Sequence, residues 1–146
     1  DASARGANAL RLRPHDPRPV LTVHSPLSPG DFLDRLAVLT VKRERFPVEK
    51  RASIEREYRR FADLRKLLPY SPNIEQLHAA LIDLHQRSYE LLETLVPDAL
   101  NGAESAPQRH VAAIQLNRMR VDLKRAVDEA CRSPYSECKS YYGDEP

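Results

Sequence analysis

The chain has 146 residues, enough for one domain with a substantial core, and its 30% charged and 41% hydrophobic residues are ordinary for a folded protein. Only 4 glycines argue against a turn-rich β protein, and a net charge of +2 with both signs interspersed lacks the electrostatic footprint of a nucleic-acid binder. No apolar run approaches the roughly 20 residues of a membrane span, and no signal-peptide core is present, so the cytoplasm is the expected compartment.

Residues 1–19 carry Arg5, Arg11, Arg13 and Arg18 among Pro14, Pro17 and Pro19, and read as a flexible basic arm. A single helical-bundle domain is expected over 20–142, with a tail at 143–146. Val20-Leu21-Thr22-Val23 is a β-prone snippet, but one short strand makes no sheet. Ser28 then reads as an N-cap, with Pro29 at the first helical position and Asp31 in the first turn, where its charge suits the helix start. The first helix should run to about Phe46, before Pro47. It is apolar around most of its circumference yet holds Asp34 among valines and leucines.

A second helix, about 48–68, places Ile54, Tyr58, Phe61, Arg65 and Leu68 on one seam, with Arg65 where an apolar residue should stand. Pro69 closes it, and Ser71-Pro72 opens the third by the same capping logic. The third helix, about 72–96, has a heptad seam of Ile74, Leu77, Leu81, Leu84, Ser88, Leu91 and Leu95, widened on one side by His78, Ile82, His85, Tyr89 and Leu92. Residues 97–107, with Asn101-Gly102, read as a loop. A fourth helix, about 107–131, is predicted to seat Ala112, Leu116, Met119, Leu123, Ala126 and Ala130. The expected fold is therefore all-α: an antiparallel bundle of three long helices plus a shorter N-terminal one, with coiled-coil-like seams.

Asp34 admits two readings. An unpaired buried carboxylate is costly, so it belongs either to a ligand pocket shared with Lys42 or to a structural ion pair. Arg65 either holds an anion inside the bundle or bridges to a neighbouring helix. Asn117, Arg120 and Lys124 line one side of the fourth helix, where they grip a phosphate or carboxylate or form a solvated face. Glu75-x-x-His78 has the spacing of di-iron helices, but no second such motif exists, so no metal is expected and His78 and His85 read as interfacial. Cys131 and Cys138 read as reduced thiols, with a disulfide left open. No nucleophile–base pair and no glycine-rich phosphate loop is legible, so no catalytic residue and no cofactor is expected.

Several segments taken in order resemble a bacterial family of uncharacterised domains: Ser28-Pro29-Gly30-Asp31 leading into Asp34-Arg35-Leu36-Ala37-Val38-Leu39 and Lys42; Arg56-Glu57-Tyr58; Asn117 through Arg120 to Leu123-Lys124-Arg125; and Glu137-Cys138-Lys139-Ser140-Tyr141. The family's usual Glu and Lys are Asp31 and Arg35 here. The resemblance spans about residues 20–142. It implies an accessory role beside cell-surface polysaccharide proteins of the glycosyltransferase type. It also nominates Asp34, Lys42, Glu137 and Lys139, with Lys139 folded back toward Asp34.

Two classes of function follow. The leading one is a non-enzymatic interaction module that assembles through its helix seams, as a homodimer or with a protein partner. The alternative is a small helical enzyme or an anion-binding domain, for a phosphosugar, nucleotide or carboxylate, using Lys42, Arg65, Arg120 and Lys124.

Overall fold

The structure is a computed structural model that describes residues 23–102 and 106–135. Within them lie four helices: α1 (Pro29–Arg45), α2 (Val48–Leu64), α3 (Pro72–Leu100) and α4 (Ala106–Ala130), with a 3-10 turn at Arg65–Leu67 after α2. The fold is all-α, as expected, but two helices are long and two are short, because α2 has the same 17 residues as α1.

Both serine caps form. Ser28 Oγ accepts from the Asp31 amide at 3.1 Å, and Ser71 Oγ accepts from the Ile74 amide at 3.2 Å. Pro47 stops α1 after Phe46. The second helix ends four residues earlier than its pattern suggests, since the chain tightens at Arg65 into the 3-10 turn. The third runs four residues past the predicted stop and carries Pro97 in its final turn. One missing N–H is tolerable this close to a helix end, where the Pro97 carbonyl accepts from the Asn101 amide. Gly102 follows at φ +68°, the left-handed position that favours glycine after a helix.

Residue pairings give the topology. Phe32 stacks on Phe61 and Arg43 meets Glu55, so α2 runs back along α1. Asp34 meets His85 while Arg45 meets Glu90 and Glu93, so α3 runs parallel to α1. Gly30 meets Asp128 while Asp34 meets Arg120, so α4 runs opposite to α1. The path is up-down-up-down. The first helix packs against all three others, whereas α2 approaches no helix but α1 among the described residues. This explains the breadth of the apolar surface of α1, where only Arg35 and Glu44 are exposed.

The core joins Leu33, Leu36 and Ala37 of α1 to Ile74 and Leu81 of α3 and Val127 of α4. The α3 seam seats Ile74, Leu81, Leu84 and Leu95 as read from sequence. The α4 seam is seated in part: Leu116 is buried and Leu123 and Ala130 pack against the core, but Met119 is 43% exposed, and Val121, Lys124, Val127 and Asp128 are buried as well, with Arg120 beside them. Two of the five buried α4 residues, Lys124 and Asp128, are charged, so hydrophobic periodicity finds only part of the inner face.

Candidate functional site

Asp34 lies on the inner face of α1, with its side chain only 6% exposed. Arg120 of α4 grips it with two parallel bonds, Nε to Oδ1 at 2.8 Å and a terminal guanidinium nitrogen to Oδ2 at 2.5 Å. This fork geometry makes arginine pairs with carboxylates both strong and directional. From α3, His85 Nε2 lies 2.8 Å from Oδ1. Burial pushes the Asp34 carboxyl toward neutrality, but the hydrogen bonds from His85 and Arg120 outweigh it and hold the pKa far below the ordinary carboxylate range. The ionised carboxylate only accepts, so the His85 Nε2 carries the proton and donates it. Three helices are thus tied at one buried carboxylate.

A cleft of about 300 Å³ opens beside this triad, at the low end of ligand-site sizes. Val38, Leu91, Leu92, Ala113 and Leu116 form its apolar walls. His85, Ser88, Tyr89, Asn117 and Arg120 form its polar part. Arg120, with 38% of its side chain exposed, is the one Lys or Arg among the described lining residues. The Ser88 hydroxyl donates to the Leu84 carbonyl, leaving its oxygen to accept. Burial raises the pKa of Tyr89, so its hydroxyl remains a neutral donor and acceptor.

Of the residues nominated from sequence, the structure brings Asp34, Asn117 and Arg120 together and disperses the rest. Lys124 is buried on the same helix but pairs with Asp31 at 2.7 Å, beside the start of α1. Lys42 lies against the Phe46 ring, 5.7 Å from its centroid. Arg65 sits at the α2–α3 corner, where it pairs with Glu75, donates to the Leu68 carbonyl and stacks on Tyr70. It bridges two helices there. Glu137 and Lys139 lie outside the described residues, as do Cys138 and the basic arm. Asp34 has its partners in Arg120 and His85. His85 is the site residue that sequence reading passed over, its only signal being a histidine beside a leucine seam.

The start of α1 docks on the end of α4 through a second polar contact. The Gly30 amide donates to Asp128 Oδ1 at 2.7 Å, so a buried carboxylate caps an orphan N–H of α1. A Cβ on Gly30 would run into the Lys124 carbonyl oxygen and reach 3.0 Å from Asp128 Oδ1. The end of α4 is closed by Arg132 at φ 54°, with the Ser133 amide bonded to the Asp128 carbonyl at 2.8 Å.

Glu75 is engaged by Arg65, and burial, reinforced by the Arg65 charge, lowers the pKa of the neighbouring His78. Among the described residues no group of three or more His, Cys, Asp or Glu side chains is placed to hold a metal ion. No helix described is long and apolar enough to cross a membrane.

No protein family, curated protein or solved structure matches the chain. Three segments singled out in the sequence meet at α1. Ser28–Lys42 forms most of α1, Asn117–Arg125 supplies Arg120 and Lys124 to it, and Glu57 pairs with Arg35 of α1 at 2.9 Å. Those segments therefore have a joint structural role as the polar contacts of the central helix.

Proposed function

We propose that this chain is a non-enzymatic helical binding module whose working site is the cleft between α3 and α4 beside the Asp34–Arg120–His85 triad. The observation that carries this reading is the cleft itself: an open, mostly apolar concavity in which several polar groups converge on one wall, next to a carboxylate held far from its ordinary pKa. A helix-borne, cross-braced wall presents a ligand with a preorganised surface. Ala113→Phe, which fills the cleft from α4, tests it. A ligand found by thermal-shift screening should stabilise the parent and lose that effect in Ala113→Phe, because only occupancy of the folded state raises the midpoint. Equal shifts in both proteins would place the ligand elsewhere.

A second reading, assembly through the helix seams, is favoured by a different observation. Leu92, Val96 and Leu100 of α3 and Val111 and Ile114 of α4 are all about half exposed or more, and all lie toward the connected ends of these two helices. Charge is split between the same stretches: residues 88–100 hold Glu90, Glu93 and Asp98 with no basic residue, whereas 106–120 hold Arg109, Arg118 and Arg120 with no acidic one. A two-fold pairing that sets α3 of one copy against α4 of another would match those signs. Sedimentation should show a concentration-dependent dimer that Val96→Lys dissociates; a monomer up to hundreds of micromolar removes this reading. An accessory role in a cell-surface polysaccharide pathway rests on the family resemblance alone.

A further inference from the structure

We infer that the cleft takes a neutral organic molecule that donates a hydrogen bond, an alcohol or phenol on an apolar body; this rests on the cleft being the binding site. His85 sets the direction of that bond. Its side chain is only 9% exposed, and it forms part of the cleft wall. Nε2 donates its proton to Asp34 at 2.8 Å, so in the neutral ring Nδ1 is left as a bare acceptor. No described residue donates to that nitrogen. Nor is it among the unpartnered atoms sealed from solvent, such as His78 Nε2 and Asp128 Oδ2, so it is reached from the cleft. An acceptor that gives up its water and gains no donor is costly, and a ligand that brings the donor avoids that cost.

Ser88 and Tyr89 follow His85 at the spacing that puts side chains on one face of α3. The Ser88 hydroxyl commits its proton to the Leu84 carbonyl at 2.8 Å, so toward the cleft it too can only accept. The Tyr89 hydroxyl both gives and takes. This row holds more acceptors than donors, and an O–H, which gives one bond and receives another, complements it. A charge on the ligand would find nothing to answer it. Among the described lining residues there is no Asp or Glu, and the guanidinium of Arg120 is already held by Asp34 through two bonds as a neutral pair. Arg120 and Asn117 both have further partners, so the α4 wall is a fixed surface rather than a supply of free donors. An ion entering here would lose its water and gain no unclaimed counter-charge. The body of the ligand must be apolar, because Val38, Leu91, Leu92 and Leu116 offer it no polar partner. Each methylene seated there should tighten binding about three- to fourfold.

The test titrates the isotopically labelled full chain with phenol, anisole, benzoate and benzylammonium, following the backbone amides of Ser88, Tyr89 and Ala113 and the ring nitrogens of His85 by NMR. Phenol should shift the amides saturably and move the Nδ1 resonance toward that of a hydrogen-bonded acceptor. It should bind about tenfold more tightly than anisole, whose methyl replaces the proton, and more tightly than either ion. His85→Gln keeps an N–H toward Asp34 and removes Nδ1, and Ser88→Ala removes the second acceptor with a residue that suits a helix. The advantage of phenol over anisole should shrink severalfold in at least one of these variants. Anisole matching phenol in the parent, either ion binding more tightly than phenol, or an advantage that persists in both variants would overturn the neutral-donor assignment and leave the cleft as the binding site. If none of the four probes moves these amides, the cleft reading fails and this inference fails with it.

Discussion

Arg120→Ala is expected to destabilise the fold by about 3–4 kcal/mol, among the larger effects any single substitution should have here. The charge left behind is the reason. Asp34 stays buried at the junction of α1, α3 and α4 with one hydrogen bond, from His85, in place of three, and breaking a buried pair from one side costs about 3–5 kcal/mol. Denaturant titration at neutral pH measures the loss. An alanine variant as stable as the parent would mean that water reaches the carboxylate.

The same contact fixes a pH dependence. The Asp34 pKa is lower in the folded chain than in the unfolded one, so the unfolded state takes up the proton first as the medium is acidified. The stabilisation is present in full above the unfolded value of about 3.9 and is lost progressively as pH falls below it. In Asp34→Asn that part of the acid slope should vanish, while the slope from the exposed carboxylates remains.

Gly30→Ala is the second large expectation, at about 3 kcal/mol of lost stability. The added methyl meets backbone, the Lys124 carbonyl, where no rotamer change relieves the overlap. Helices α1 and α4 must separate locally, which also strains the Gly30–Asp128 bond and the Lys124–Asp31 pair. Gly102→Ala is the matched control. Nothing lies within 4 Å of its added methyl, so only the positive φ opposes it, and the cost should be about 1 kcal/mol. If the two variants melt together, the α1–α4 approach is looser than described.

What the sequence discloses depends on the reach of each interaction. The helix starts at Ser28-Pro29 and Ser71-Pro72 are legible because a cap is a bond within three residues. The α3 seam is legible because seven positions repeat the same spacing. The inner face of α4 is legible only at its apolar positions, since Lys124 and Asp128 are buried by partners 93 and 98 residues earlier in the chain, Asp31 and Gly30, and a charged residue inside a stripe resembles a charged residue outside it. Asp34 announces itself as an oddity in an apolar helix, and the need for a partner follows from electrostatics. The identity of that partner does not, because several cations compete on paper and only packing chooses Arg120. Arg65 is the converse case: its seam position is correct, and the carbonyls it satisfies appear only once the α2–α3 corner is folded.

The central place of α1 also bears on the order in which the chain can fold. Its contacts with Arg120 and Asp128 span 86 and 98 residues. Such distant closures cost entropy before they return any stabilisation, and they slow folding. On a growing chain, α1 emerges first of the described helices and α4 last, so the helix that packs against all the others stays only partly covered until nearly all of the described sequence has been made. A ribosome that stalls before Arg120 would leave an apolar helix carrying a carboxylate that no cation has yet claimed, the kind of species that chaperones recognise.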